Sequence, residues 1–276
     1  MRQYLQCGRY GFSLDLTPLV MGVLNVTPDS FSDSGRFHSL ELALSGAEQM
    51  IAAGVDMIDV GGESTRPGTP TLPLDEELRR VMPVLYALRD LGKPLSVDTY
   101  KPEVMREAIL AGADMINDIN AFRAPGALEA VADSDCGLCV MHMQSVPETM
   151  QQQPAYRDVV REVADFLRER VDAMLAAGIN PERICIDPGF GFGKTLEHNL
   201  ALMRNIGKIQ QEIGLPLLAG VSRKAMIGAI TGKPVEQRLA GSLAGALAAI
   251  AHGAKIVRVH DVAETVDAVK VWQASH

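Results

Sequence analysis

The chain has 276 residues, with 26 Lys and Arg against 34 Asp and Glu, a formal charge of −8, and an apolar content of 47%. A chain of that length buries roughly three quarters of the surface its unfolded form exposes, which excludes a disordered, collagenous or small disulfide-stapled protein. Net acidity with scattered basic residues also excludes the basic stripe that nucleic acid requires, so an anionic ligand needs a local cationic cluster.

In chain order, residues 1–16 mix polar and apolar side chains without a hydrophobic segment of signal-peptide length, which points to the cytosol. Eight short β-rich runs then follow, at 20–26, 57–61, 95–99, 115–119, 138–143, 184–187, 217–222 and 256–260. Most intervals between them hold a loop, a helix and a return turn. The two short intervals, after the third and fourth runs, leave room only for brief helices. Val159, Val163, Phe166, Leu167, Val171, Met174 and Leu175 form an apolar stripe at helical spacing. Lys101-Pro102 suits a helix start, Asp261 precedes a last stripe of Val262, Val266 and Val269, and the Ala-rich stretch 239–251 is too short to span a membrane and predicts a packed helix.

An internal echo supports a repeat: Ala53-Gly54-Val55-Asp56-Met57-Ile58-Asp59 parallels Ala111-Gly112-Ala113-Asp114-Met115-Ile116-Asn117. In both, glycine ends a helix where positive φ is needed and the chain turns into a strand, a device repeated at Gly178 and Gly253. Parallel strands with helical crossovers allow an open doubly wound sheet or a closed barrel, and eight units favour a single-domain α/β (β/α)8 TIM barrel over residues 1–276.

Such barrels place their chemistry where the strands end. The predicted strands end in Asn25, Glu63-Ser64-Thr65-Arg66, Asp98, Asn117, His142, Asp187, Ser222-Arg223-Lys224, and Arg258 with His260. Arg258 and His260 are two apart, so both side chains share one face of their strand. A buried charge needs a partner or a ligand. A structural ion network and a polar ligand site both satisfy that need for any one residue, and recurrence at most strand ends favours the site.

Several motifs carry no chemistry. Gly193-Lys194-Thr195 resembles the end of a P-loop, but Pro188 stands where its first glycine belongs. Gly189, Gly191 and Gly193 lack dinucleotide-site spacing and are expected to free a loop that sets Phe190 or Phe192 beside a ligand. Cys136 and Cys139 have redox or metal spacing without a second pair, which favours buried thiols, and His142, set between Met141 and Met143, suits a core histidine at least as well as a catalyst.

Five segments are more specific: Asn25-Val26-Thr27-Pro28-Asp29-Ser30-Phe31-Ser32-Asp33, Gly61-Gly62-Glu63-Ser64-Thr65-Arg66-Pro67-Gly68, Asp187-Pro188-Gly189-Phe190-Gly191-Phe192-Gly193-Lys194, Ser222-Arg223-Lys224 and Arg258-Val259-His260-Asp261. In type, order and extent they closely resemble the bacterial dihydropteroate synthases, a family of pterin-binding barrels. The resemblance implies a transferase of folate biosynthesis that joins 6-hydroxymethyl-7,8-dihydropterin diphosphate to 4-aminobenzoate. It further implies Mg2+, a homodimer and sulfonamide inhibition, beside the cytoplasmic location and the lack of a nucleic-acid or membrane partner that the N-terminus, charge and hydropathy predict.

By matching motif, the resemblance assigns Asp98, Asn117, Asp187, Lys224 and Arg258 to the pterin and gives Asp98, Asp187, Lys224 and Arg258 the catalytic roles. It assigns Asn25, Thr65, Arg66, Arg258 and His260 to the diphosphate, with Asn25 on the metal, and Thr65, Pro67, Phe192, Ser222 and Lys224 to the aminobenzoate. Segments 27–37 and 64–73, without a sustained helical or strand period, are expected to order once the pterin substrate and Mg2+ arrive. Ser34 and Ala225 depart from the family pattern, where a glycine and a serine are common. A related corrinoid methyltransferase barrel would keep the acids and Asn117 but would not need the two basic segments. A noncatalytic pterin-binding subunit would not need all of Asp98, Asp187, Lys224 and Arg258.

Overall fold

The computed structural model describes residues 3–15, 17–26, 36–63, 69, 71–145 and 149–275, with 36–39 described by backbone alone. An antiparallel hairpin, β1 (Tyr4–Cys7) and β2 (Tyr10–Ser13), precedes eight parallel strands. These are β3 (Leu19–Asn25), β4 (Met57–Gly61), β5 (Leu95–Asp98), β6 (Met115–Asp118), β7 (Gly137–Met141), β8 (Ile184–Asp187), β9 (Leu218–Ala219) and β10 (Ile256–Val259). Their order is β8-β7-β6-β5-β4-β3-β10-β9, and a parallel bridge from Ile186 to Leu217 joins the two ends, so the sheet closes into a (β/α)8 barrel.

The crossovers are α1 (Arg36–Ala53), α2 (Leu74–Leu88), α3 (Pro102–Ala111), α4 (Ala127–Val131), α5 (Val159–Ala176), the pairs α6 (Leu196–Arg204) with α7 (Ile206–Ile213) and α8 (Ala225–Thr231) with α9 (Leu239–Ala251), and finally α10 (Val262–Ala274). Pro102 opens α3 behind Lys101, as its fixed φ and missing N–H allow, and Gly112 ends it at φ 101°. Gly54, Gly178 and Gly253 also have positive φ, at 94°, 82° and 112°, so the repeated glycine device is real. The stripe in α5 buries Val159, Val163, Leu167, Val171 and Met174, whereas Leu175 is 41% exposed, because in the last turn Met174 takes the core-facing position and Leu175 lies one residue round the helix from it.

Strand alternation sorts the side chains. One set, including Val20, Leu24, Ile58, Val60, Val97, Ile116, Val140, Ile186 and Val257, points outward and joins the helices in the main core. The other points into the barrel, where Leu19, Met21, Met57, Met115, Cys139, Cys185, Leu218 and Ile256 fill the floor with Leu5, Cys7 and Leu14 from the hairpin segment. Two residues further along these inward columns the side chains turn polar: Met57 is followed by Asp59, Met115 by Asn117, Cys185 by Asp187 and Ile256 by Arg258, while β5 carries Ser96 below Asp98 and is polar at both levels.

Several strands end earlier than their apolar patterns predict. The seventh contracts from 217–222 to Leu218–Ala219, because the chain leaves the ladder at Gly220 to carry Ser222 and Lys224 over the mouth. Arg36 and Phe37 belong to α1 rather than to the preceding loop.

Candidate active site

Arg258 lies at the centre of the polar mouth. Its Nε donates to Asp59 Oδ2 on β4 at 2.6 Å, and its Nη2 donates to Asp98 Oδ2 on β5 at 2.8 Å. Spanning two neighbouring strands from β10 requires an inward side chain, as the spacing of Arg258 and His260 predicts. Asn117, paired with Asp98 in the ladder, donates from Nδ2 to Asp59 Oδ2 at 3.3 Å. Burial raises the Asp98 carboxyl above the usual range, opposed by Arg258, while its two carboxylate partners hold the Arg258 guanidinium firmly charged against burial.

Asp187 and Lys224 complete the cage. Asp187 Oδ1 accepts from the Gly189 N–H at 2.7 Å, so one face of the carboxylate is fixed by backbone. Burial raises its pKa, and the Gly189 bond, Lys224, Lys194 and Arg258 oppose the rise. Lys224 precedes α8, with Nζ 4.0 Å from the Phe192 ring centroid. Burial, then the charge of Arg258, lowers its ammonium to about 8. Among the described residues the cage therefore sets the carboxylates of Asp59, Asp98 and Asp187 against Arg258 and Lys224, with Lys194 as a further cation acting on Asp187.

At the rim, Asn25 ends β3 with an exposed side chain. Gly61 pairs with Asn25 on one side and Asp98 on the other, which sets the Asn25 amide beside the cage. His260 packs against Ser222: its N–H donates to Ser222 Oγ at 3.2 Å, and its Nδ1 lies 3.1 Å from the same oxygen. Burial, then Arg258 and Arg223, lowers His260 to about 4, so the ring is neutral at pH 7 and is a hydrogen-bonding group rather than a fixed cation. Arg223 forms an ion pair with Asp261 and is not free for an anion.

The structure thus brings Asn25, Asp98, Asn117, Asp187, Phe192, Ser222, Lys224, Arg258 and His260 to the same end of the barrel. Thr65, Arg66, Pro67 and Ser34, with most of segments 27–37 and 64–73, lie outside the described residues. Phe190 and Phe192 part company: Phe190 is 1% exposed within the main core, whereas Phe192 joins Ile119, Met141, Met143 and Met150 at the mouth. His142 is a buried residue whose Nδ1 faces Lys194 Nζ, and all four cysteines are buried thiols.

Sequence reasoning missed Asp59. Its signal was available, because an acid inside the apolar run Met57–Gly61, two residues after an inward methionine, must itself point into the barrel. It also missed a cluster after β4, where Lys101 pairs with Glu63 and with Glu77, and Glu63 Oε1 accepts from Tyr100 Oη at 2.8 Å and from the Leu72 N–H at 3.1 Å. Those partners are up to 38 positions apart in the chain and meet only through the barrel.

The pterin binding enzyme family matches residues 21–260. The chain is 53% identical to the dihydropteroate synthase of Haemophilus influenzae over 264 residues, covering 95% of this chain and 96% of that protein. It superimposes on the Burkholderia cenocepacia dihydropteroate synthase complexed with 7,8-dihydropteroate with a TM-score of 0.91, 53% identity and coverage of 99% and 96% of the two chains. The Yersinia pestis dihydropteroate synthase in a sulfonamide drug complex gives a TM-score of 0.93 at 45% identity, with 99% of each chain covered.

Proposed function

The chain belongs to the dihydropteroate synthase family of pterin-binding enzymes, and from that premise we propose how its mouth joins 6-hydroxymethyl-7,8-dihydropterin diphosphate to 4-aminobenzoate. The observation that carries the assignment of roles is the Arg258 bridge to Asp59 and Asp98 beside Asp187 and Lys224. A pterin edge offers N–H donors to the carboxylates of Asp98 and Asp187 and acceptors to Asn117 and the Lys224 ammonium, while its flat face suits the Arg258 guanidinium. Among the described residues Asp59 Oδ1 is buried with no hydrogen-bond partner, as expected of a cage whose polar atoms await a ligand or its water.

The reaction is displacement at the pterin methylene, with C–O cleavage running ahead of attack because an arylamine is a weak nucleophile and a dihydropterin tolerates positive charge. Asp98 and Asp187 stabilise that charge. Arg66, Arg258 and His260 receive the departing diphosphate, His260 as a neutral N–H donor. Phe192, Lys224, Ser222, Thr65 and Pro67 border the aminobenzoate, whose carboxylate and ring a sulfonamide would imitate. Removing one well-placed donor from such a site costs about 3 kcal/mol, roughly a hundredfold in rate.

The donor chemistry at the rim fits Mg2+. Asn25 offers one hard oxygen, and among the described residues no cluster of three His, Cys, Asp or Glu side chains is placed to hold a metal ion. One protein oxygen suits an ion that keeps waters and takes its other ligands from substrate phosphates. Bound there, Mg2+ would neutralise diphosphate charge. A homodimer in the cytoplasm belongs to the same proposal. Among the described residues, no helix is long and apolar enough to cross a membrane. The deciding assay mixes the protein with dihydropterin diphosphate, Mg2+ and labelled 4-aminobenzoate, and the expected result is one labelled dihydropteroate per diphosphate released. Diphosphate without labelled product would leave only a hydrolase.

A further inference from the structure

The Gly193-Lys194-Thr195 motif has a use unrelated to phosphate. Lys194 is 4% exposed, and its Nζ lies 2.9 Å from each of His142 Nδ1, Gly189 O and Phe192 O, with His142 O further away at 3.4 Å. An ammonium has three N–H donors, so the three close acceptors use all of them. Burial, then the charge of Lys194, lowers His142 to about 2, which keeps the ring neutral and its Nδ1 free to accept.

Two of the acceptors belong to one turn, Gly189 to Phe192, and the third follows β7. The turn is rich in glycine because it must be: Gly189 has φ 69°, and a Cβ there would stand 1.9 Å from His142 O. At one end of the turn the Gly189 N–H holds Asp187 Oδ1, and at the other the Phe192 ring faces Lys224. Glycines cannot hold such a turn with side chains of their own. A buried cation that gathers its carbonyls can.

We propose that Lys194 is a positioning residue for the aminobenzoate side of the site, holding the turn from Gly189 to Phe192 so that the Phe192 ring stays fixed against Lys224. The inference rests on the proposal that Phe192 and Lys224 border the aminobenzoate. Without the ammonium, the Phe192 carbonyl loses the donor at 2.9 Å and the Gly189 carbonyl keeps only the Phe192 N–H at 3.1 Å, so the turn loosens at its Phe192 end. The ring then leaves its packing among Ile119, Met141, Met143 and Met150.

Lys194→Met keeps the aliphatic stem and removes the donors. With a cooperative melt retained, it should raise KM for 4-aminobenzoate about tenfold and weaken dihydropterin diphosphate by a smaller factor, because the Gly189 N–H that holds Asp187 lies at the far end of the turn from Phe192. In a Phe192→Leu background the same change should add less than about twofold, because the ring through which Lys194 acts is gone. A merely structural lysine would multiply the losses in both backgrounds alike, and that result, or a folded Lys194→Met with wild-type KM, overturns the proposal. If Lys194→Met does not fold, Lys194→Gln, which retains two N–H donors, is held to the same criteria. Failure of both to fold would assign the cation to stability alone and also overturn it. Absence of dihydropteroate from the wild-type protein would overturn the functional reading and this inference with it, whereas an active wild type with an indifferent Lys194→Met sinks only the inference.

Discussion

The two ends of the barrel are built from the same strands and solve opposite problems. At the floor, Met21, Met57, Met115, Cys139 and Cys185 close the interior with apolar and thiol side chains under the β1–β2 hairpin. The buried acid near that end, Asp114, is fully engaged: its carboxylate accepts from the Leu95 N–H at 3.1 Å and from the Arg9 side chain at 3.1 and 3.3 Å. At the mouth, two residues further along, the carboxylates of Asp59, Asp98 and Asp187 gather around Arg258 and Lys224, and among the described residues Asp59 Oδ1 has no partner. Ser96 Oγ, one step below Asp98 in its inward column, is also buried without a partner among the described residues, so it is the gathering of charges, and not an unpaired atom alone, that marks where a ligand belongs.

The largest break in this contrast should come from Arg258→Met. It leaves Asp59 and Asp98 buried without their cation, a loss on the order of 3 kcal/mol in stability, with activity reduced more than about a hundredfold. Arg258→Lys keeps the charge but cannot reach two carboxylates with one planar fork, so it should lose at least about tenfold in rate with the fold intact. Denaturant melts beside product assays check both. A lysine variant with wild-type turnover would reduce Arg258 to a general positive charge.

Next in size is Asp187→Asn, which keeps volume and replaces an acceptor with a mixed donor and acceptor. Pterin affinity should fall by about 1.5 to 3 kcal/mol, with a much smaller change in melting temperature. Calorimetry with a pterin ligand decides the matter, and unchanged affinity would remove Asp187 from the cage.

A smaller, graded effect should follow from pH. The Lys224 ammonium is lowered by burial to about 8 from an ordinary 10.5. Between those values the unfolded chain holds a proton that the folded chain has released, so this residue's contribution makes the free protein more stable as pH rises through the window. Lys194, lowered by burial to about 7, acts in the same direction from a lower pH, and the amine left above that pH keeps two of the three donors that hold the turn from Gly189 to Phe192. Pterin affinity should move the opposite way, falling as pH passes about 8 because the donor is lost, unless the ligand itself raises Lys224. Denaturant titrations and ligand calorimetry at several pH values would expose the opposed slopes, and parallel slopes would deny Lys224 a donor role.

The mouth was more legible in the sequence than the floor. Asp98, Asn117, Asp187 and Arg258 stand at or near the ends of apolar runs, where a charge has no structural excuse, so alternation alone points them inward. The hairpin was not legible: Tyr4–Cys7 and Tyr10–Ser13 are four residues each, with no long alternation, and are strands because they pair and cap the barrel. Asp59 was hidden by its apolar neighbours. The choice between Phe190 and Phe192 depends on a turn of positive-φ glycines that no periodicity describes, and the purpose of Lys194 depends on three acceptors that only folding gathers.

The smallest expected effect tests the floor itself. Arg9 is 54% exposed on its side chain, and its partner Asp114 is 2% exposed. Removing the guanidinium by Arg9→Met does not strip Asp114 bare, because the Leu95 N–H still donates to Oδ2 and the Arg9 N–H lies 3.4 Å from Oδ1. A pair that solvent screens on one side and backbone supports on the other contributes less than about 1 kcal/mol. Product formation should be unchanged, since the pair and the cage occupy opposite ends of the barrel. If Arg9→Met instead cost more than about 2 kcal/mol, Asp114 would be an acid that depends on its cation, as Asp98 is at the mouth. If it altered pterin affinity while stability held, the inward columns would be transmitting strain from floor to mouth, and the division between a structural end and a chemical end would fail.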